Sequence, residues 1–153
     1  MSDEVFSTPS GYTRFSFGLM ARPDYLELSP EKHKEICNGI GAAKGLSKYI
    51  PETIYLLNVT EAGNIHDFDY YIGGTEADRV IADRVFYTNL ITTIDHAADT
   101  SLDGLFKGGW SRWWAMLKAP AVERLRTARK ARARKYYVAL CEFGSKHFNH
   151  REA

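Results

Sequence analysis

Two stretches of helical hydrophobic periodicity, separated only by the pair Gly73-Gly74, constrain this chain more than any other feature of its sequence. In the first stretch, which begins at Thr60, apolar residues recur every three or four positions up to the glycines. The second begins at Thr75 and continues to about Asp95. Each stretch opens on a threonine, a residue type that caps helix N-termini. Because two helices joined by a short turn pack in opposite directions, the sequence predicts a mainly α-helical fold with an antiparallel two-helix core.

Similar signals divide the rest of the chain into segments of a single domain of 153 residues. Residues 1–28 are predicted to form an irregular N-terminal arm with at most a short strand. Ser29, Pro30 and Glu31 are typical of a helix start and predict a helix to about Cys37. Further along, the sequence predicts a short helix or turn between Leu46 and Val59, a turn region from Ala97 to Gly109, and a long helix that opens at Pro120 and ends near Phe143, within an aromatic and basic extension covering residues 110–143.

Composition excludes several classes of protein. A content of 44% hydrophobic and 25% charged residues argues against a disordered chain. Cys37 and Cys141 are too few for a disulfide scaffold, and a net charge of +1 argues against a globally basic nucleic-acid binder. No apolar run is long enough to span a bilayer, and the N-terminus lacks the pattern of a signal peptide. We therefore expect a soluble, cytoplasmic protein.

The two-helix core places a histidine opposite an aspartate. In a helix pair joined at Gly73-Gly74, residues that face each other have numbers that sum to about 147 to 149, and those of His66 and Asp83 sum to 149. A carboxylate that binds one imidazole nitrogen leaves the other available as a general base. The pair is the His-Asp half of a hydrolytic triad with water as the nucleophile. The alternative is a buried histidine satisfied by a structural carboxylate.

Asp67 adjoins this pair and points about 100° away around the helix, so its carboxylate could hold a cation beside the site. A hard cation such as calcium binds six to eight oxygens, main-chain carbonyls included. The glycine-rich segment containing Gly39 and Gly41 can turn its carbonyls inward, although it is also typical of a simple helix stop. Asp69 is either a second ligand or a solvated charge. Tyr70 and Tyr71 are typical of packing residues whose hydroxyl groups find hydrogen-bond partners.

These residues resemble a known family. His66-Asp67-Phe68-Asp69-Tyr70 is similar to the His-Asp-x-x-Tyr helix motif of the phospholipase A2 superfamily, and Cys37-Asn38-Gly39-Ile40-Gly41 resembles its calcium loop. The segment from Ala82 to Leu90 looks like the one that follows the His-Asp helix in the disulfide-free viral capsid branch. The resemblance covers about Ile36 to Leu90 and implies a phospholipase A2-like core at residues 36–95. It also implies a virion-associated or phage-associated setting as an alternative to the cytoplasm.

The resemblance also implies roles. Calcium would be bound by the carbonyl oxygens of Cys37, Gly39 and Gly41 and by the Asp67 carboxylate. His66 would take a proton from water, Asp83 would orient His66, and Tyr70 would hydrogen-bond Asp83. The cation would stabilise the oxyanion formed at a phospholipid ester. This chain departs from the family in lacking the cysteines that flank the motif in secreted members, and in a longer connection, Leu46 to Val59, between the loop and the helix.

The aromatic and basic extension bears on possible partners. Trp110, Trp113, Trp114 and Leu117 share one helix face, which is either a core stripe or an interfacial membrane face. From Lys118 to Lys135 there are eight basic residues and one acidic residue. Such a run is usually solvated, but beside tryptophans it can attract an anionic membrane. Nucleic acid is the less favoured partner because few stacking groups accompany the charges.

The sequence is compatible with two functions. The first is calcium-dependent hydrolysis of a phospholipid ester, and the second is a non-catalytic phage- or mobile-element-associated interaction domain that uses its basic C-terminal helix. A phosphohydrolase of the His-Asp type is disfavoured because the other histidines are scattered along the sequence. His147 and His150 are either a metal pair or part of a frayed tail.

Overall fold

The computed structural model describes residues 7–37, 53–107 and 112–151. These residues form a mainly helical fold with two small antiparallel strand pairs. The strands are β1 (Thr13–Phe15) with β2 (Leu19–Ala21) and β3 (Thr53–Ile54) with β4 (Leu57–Asn58), and the helices are α1 (Pro23–Leu26), α2 (Pro30–Ile36), α3 (Thr60–Ile72), α4 (Glu76–Lys107) and α5 (Arg112–Phe143), followed by a 3-10 helix at Gly144–His147.

The predicted starts and ends of α2 and α3 are largely confirmed. Ser29 caps α2, with its side-chain oxygen accepting a hydrogen bond from the Lys32 N–H at 3.3 Å. Helix α3 ends at Ile72, directly before the glycines. The predicted cap at its start is wrong, because Thr60 is already helical and its N–H donates to the side-chain oxygen of Asn58 at 2.8 Å.

Helices α4 and α5 are both longer than predicted. The predicted turn from Ala97 is helical as far as Lys107, in a stretch without proline in which Ala98 is buried. Pro120 does not open α5 but lies inside it, on the exposed side. A proline inside a helix removes one hydrogen bond and costs about 3 kcal/mol. The sequence prediction therefore underestimated the length of both helices.

The core is concentrated at one end of these long helices. Phe86 and Leu90 of α4 pack against Tyr136 and Leu140 of α5, and Ile54 of the second hairpin joins the same cluster. A second cluster joins the first hairpin to α3. Its buried members are Leu19, Ala21, Tyr25, Ile65 and Phe68. Helix α3 is thus held on two sides, and this fixes the direction in which its polar residues point.

A buried asparagine attaches the first hairpin to α4. Asn89 accepts a hydrogen bond from the N–H of Met20 and donates one to the carbonyl of the same residue, both at 2.8 Å. Its amide thereby satisfies both backbone groups of a buried strand residue, which would be costly to leave unpaired. The short strand predicted near the N-terminus is present as β1, and it belongs to a hairpin with a buried second strand. Among the described residues, no helix is both long enough and apolar enough to cross a bilayer.

Candidate functional site

The structure brings His66 and Asp83 together between α3 and α4. The Nε2 atom of His66 lies 3.1 Å from Oδ1 of Asp83, and both residues are buried. The contact has the register that the Gly73-Gly74 connection predicts. It leaves Nδ1 of His66 without a hydrogen-bond partner among the described residues. The pair therefore has one imidazole nitrogen held by a carboxylate and one that is uncommitted.

Two further side chains converge on Asp83. The Tyr70 hydroxyl donates to Oδ1 at 2.7 Å, and Nη1 of Arg79 donates to Oδ2 at 2.6 Å. Arg79 is buried, and its remaining nitrogens bind the carboxylate of Glu76 at 2.6 to 3.0 Å. Both oxygens of Asp83 are thus engaged, as a buried carboxylate requires.

Sequence reasoning missed Arg79. The available signal was its spacing, since an arginine four residues before an aspartate and three after a glutamate lies on one helix face with both. That pattern is common on solvent-exposed helix surfaces, so it does not by itself indicate a buried group. Only the burial of the guanidinium makes Arg79 part of the site.

Aromatic rings enclose His66. Its ring centroid lies 4.1 Å from that of Tyr70 and 4.8 Å from that of Phe86. Burial and the negative charge of Asp83 raise the pKa of the Tyr70 hydroxyl, so this group stays a hydrogen-bond donor. The end of the chain closes the side next to Tyr70, where Phe148 meets its ring edge-on at 5.2 Å and Gly144 lies against its hydroxyl.

Asp67 follows His66 in the sequence, and its environment differs from that of the ring-enclosed His66. Among the described residues, its half-buried carboxylate has no hydrogen-bond or ion-pair partner. Burial raises the pKa of Asp67 to about 7. A carboxylate without a partner in a desolvated setting is one that a cation would stabilise.

The residues around Asp67 offer further oxygen atoms. Asn64, one helical turn earlier, has a buried side-chain oxygen without a partner in the described part of the chain. The main-chain carbonyl of Asn64 accepts a hydrogen bond from Sγ of Cys37 at 3.4 Å, so the start of the predicted calcium loop lies against this turn of α3. Burial, together with the charges of Asp67 and Glu61, raises the pKa of the Cys37 thiol to about 12.

This environment fits a hard cation such as calcium, which prefers uncommitted oxygen ligands. Within the described ranges, no three His, Cys, Asp or Glu side chains cluster as metal ligands. A cation at Asp67 would consequently depend on carbonyl oxygens. Gly39 and Gly41, which the sequence predicts as two of those ligands, lie outside the described residues.

Asp69 differs from its prediction. It is buried rather than solvated, and its Oδ1 pairs with Nε of Arg22 at 3.0 Å. The pair joins α3 to the segment that follows the first hairpin. The alternative of a solvated charge is therefore wrong for Asp69, and the residue has a structural ion-pair role.

The C-terminal features are also clarified. Trp113 is 70% exposed and Trp114 is 51% exposed, so the core-stripe alternative is wrong for both, while Trp110 lies outside the described residues. His150 contacts the carbonyl oxygen of Ser145 at 3.1 Å.

The basic run of α5 is not uniformly solvated. Lys130 pairs with Asp95 of α4 at 2.8 Å, and Arg126 pairs with both Asp95 and Asp99. Part of the positive charge is therefore used to hold the two long helices together.

The chain matches no protein-family model, no curated protein and no solved structure.

Proposed function

We propose that this protein hydrolyses a phospholipid ester in a calcium-dependent reaction, using a water molecule activated by His66 and Asp83 in a phospholipase A2-like core. The observation that carries the proposal is the shared oxygen of Asp83, which is 3.1 Å from Nε2 of His66 and 2.7 Å from the hydroxyl of Tyr70. This is the arrangement that the resemblance to the family implies for these three residues.

The roles follow from the donors and acceptors. Asp83 accepts a hydrogen bond from the protonated Nε2 of His66, which leaves Nδ1 of His66 unprotonated and able to take a proton from water. Tyr70 donates to Asp83 and keeps its carboxylate in place. Arg79 holds the other oxygen of Asp83, so the carboxylate cannot rotate away from the imidazole. The positive charge that develops on His66 is stabilised by the negative charge of Asp83.

Asp67, with the carbonyl oxygens of Cys37, Gly39 and Gly41, would hold the calcium ion. The unpartnered side-chain oxygen of Asn64 adds a possible ligand on the same turn of α3. When bound, the ion supplies positive charge at the ester oxygen that becomes negative during hydrolysis. The chain's own contribution is to present oxygen ligands beside His66.

The test is fatty-acid release from phospholipid vesicles by wild-type protein and by His66→Gln, each with calcium and with a chelator. The variant should lose activity by about 10²- to 10⁴-fold, the usual contribution of a general base, and the chelator should abolish wild-type release. His96→Gln is the matched control because His96 lies farther along α4, where its ring stacks on that of Phe17. Equal release by wild type and His66→Gln at equal folded fraction would refute the proposal.

One observation favours the second candidate, a non-catalytic phage- or mobile-element-associated interaction domain. Arg79 and Asp83 form a buried ion pair, which satisfies the polar cluster without any substrate. A structural cluster of this kind would leave the basic surface of α5 as the functional part. Vesicle hydrolysis that is absent from wild-type protein under all calcium conditions would support this alternative.

A further inference from the structure

The tip of the second hairpin has a backbone conformation that its residues disfavour. Tyr55 and Leu56, which connect β3 to β4, have φ angles of 46° and 66°. Two-residue turns with both φ angles positive are normally formed by asparagine, aspartate and glycine, because other side chains clash with the backbone there. A tyrosine and a leucine at these two positions are therefore conformationally unfavourable.

Packing at the tip does not offset this conformational cost. Leu56 is 96% exposed and Tyr55 is 55% exposed. The base of the hairpin, by contrast, is anchored, because Ile54 is buried in the main core cluster, which also contains Phe86 and Leu90. A fixed base with a strained apolar tip holds these two side chains out from the body. Backbone strain of this kind often marks a functional position.

The surface beside the tip carries positive charge without a counter-charge. Arg129 of α5 donates from Nη2 to the carbonyl of Tyr55 at 2.9 Å, but it has no carboxylate partner among the described residues, and its Nε is buried without an acceptor. Burial lowers the pKa of Arg129, a sign that its charge is only partly compensated. Arg132, three residues along the same helix and near Tyr55, is exposed, and its Nε donates to the hydroxyl of Tyr136 at 3.1 Å.

Neighbouring basic residues of α5 differ from Arg129 and Arg132 because they have carboxylate partners on α4. Arg126 and Lys130 point toward α4 and are paired with its carboxylates. Leu125, one turn before Arg129, is partly exposed and extends the apolar surface on the same side of α5. The hairpin side of the helix thus combines exposed apolar groups with guanidinium groups that have no acidic partner in the part of the chain that the structure describes.

We propose that the Tyr55–Leu56 tip and the adjacent Arg129 and Arg132 dock on an anionic phospholipid bilayer. Leucine at a protruding tip enters the acyl boundary, tyrosine suits the headgroup region, and each guanidinium binds a lipid phosphate. The choice of a bilayer as the occupant rests on the proposed function, in which phospholipid is the substrate. Phe86 relates the hairpin to the site, because it belongs to the same core cluster as Ile54 and its ring centroid lies 4.8 Å from that of His66.

The test is co-sedimentation with vesicles of ether-linked lipids, which lack hydrolysable esters, containing either phosphatidylcholine alone or phosphatidylcholine with phosphatidylglycerol. Wild-type protein should bind the anionic vesicles and not the neutral ones. The double variant Tyr55→Asn with Leu56→Gly should bind about tenfold more weakly, the effect of keeping one large apolar side chain out of the bilayer. Its melting temperature should rise, because asparagine and glycine suit the turn.

The apolar control is Leu26→Asn, which changes a partly exposed leucine of α1 and should leave binding unchanged. The charge test is Arg132→Gln, expected to weaken binding to anionic vesicles several-fold, compared with Lys34→Gln, which removes the same charge from α2. Equal binding by wild type and the double variant would overturn the proposal. Binding to a soluble polyanion such as heparin but not to vesicles would also overturn it.

The same assay separates this proposal from the proposed function. His66→Gln should bind anionic vesicles as well as wild type does, because His66 is buried away from the tip. If hydrolysis of ester lipids is absent while tip-dependent binding persists, the docking surface stands and the enzymatic proposal fails. If ester lipids are hydrolysed while vesicle binding is unaffected by the tip substitutions, the enzymatic proposal stands and the docking surface fails.

Discussion

Asp83 organises the electrostatics of the buried site, because three side chains bind its two oxygens. His66 and Tyr70 share one oxygen, and Arg79 holds the other. An aspartate in this position has lost its hydration, so each donor replaces a hydrogen bond to water. Its contribution to function and its contribution to stability therefore depend on the same contacts.

Replacing Asp83 with asparagine should be strongly destabilising. The substitution leaves the guanidinium of Arg79 buried beside a neutral amide, and removal of one partner of a buried ion pair costs about 3 to 5 kcal/mol. Urea denaturation measures the loss. Glu76→Gln is the matched control, since Glu76 also binds Arg79 but is 59% exposed, and it should cost less than about 1 kcal/mol. Similar losses in the two variants would contradict the importance assigned to Asp83.

Asp67 represents the opposite situation at the residue scale, a desolvated carboxylate with no partner in the described part of the chain. Asp67→Asn should raise the melting temperature in the presence of a chelator by roughly 2 to 4 °C, which corresponds to about 1 kcal/mol in a chain of this size. The reason is that an amide is cheaper to bury than a charge. Differential scanning fluorimetry checks the shift.

The same measurement with calcium tests the cation site. Calcium should raise the melting temperature of wild-type protein and of Asp24→Asn, whose substituted side chain is exposed on α1, but not that of Asp67→Asn. A calcium effect that survives in Asp67→Asn would exclude this carboxylate as a ligand.

At the scale of elements, the junction between α3 and α4 depends on the C-terminal segment. Asn149 donates its N–H to the carbonyl of Tyr70 at 3.3 Å, and its own carbonyl accepts from the N–H of Gly74 at 3.0 Å. Gly73 has a φ of 69°, and a Cβ there would overlap the Asn149 carbonyl oxygen. Gly73 therefore follows the end of a helix and also leaves room for the C-terminal segment at Asn149.

Gly73→Ala should lower the free energy of unfolding by at least about 2 kcal/mol, because alanine combines a left-handed conformation with a clash against backbone. It should also release the C-terminal segment, detected as faster hydrogen exchange at residues 148–151. Gly104→Ala is the control, because Gly104 lies in helix α4 with open space around it and alanine there should stabilise by up to about 1 kcal/mol. An unchanged exchange pattern in Gly73→Ala would contradict this role.

At the scale of the whole molecule, burial is uneven along the two long helices. Between Ala98 of α4 and Ala133 of α5, the only buried hydrophobic residue in the described part is Ala115. Ion pairs from Arg126 and Lys130 to α4 hold this region, and exposed or partly exposed ion pairs contribute little stability each. The distal half of the α4–α5 pair therefore has much less packing energy than the proximal half.

Hydrogen exchange should reveal this gradient. We expect the slowest amides at residues 82–94 and 133–140, where the core cluster lies, and much faster exchange at residues 99–104 and 113–121. Exchange measured by mass spectrometry on peptides from both halves provides the check. Uniform protection along α4 and α5 would show that the pair unfolds as one unit and contradict this expectation.

Local signals in the sequence determined several elements and one contact. The glycine pair defines the end of α3, Ser29 defines the start of α2, and the short connection places His66 opposite Asp83, because helix period and turn length are local properties. Tertiary structure alone decided the rest. Whether Arg79 and Asp69 are buried, whether Trp113 is exposed, and how far α4 continues all depend on which surfaces meet, and residues distant in sequence supply those surfaces.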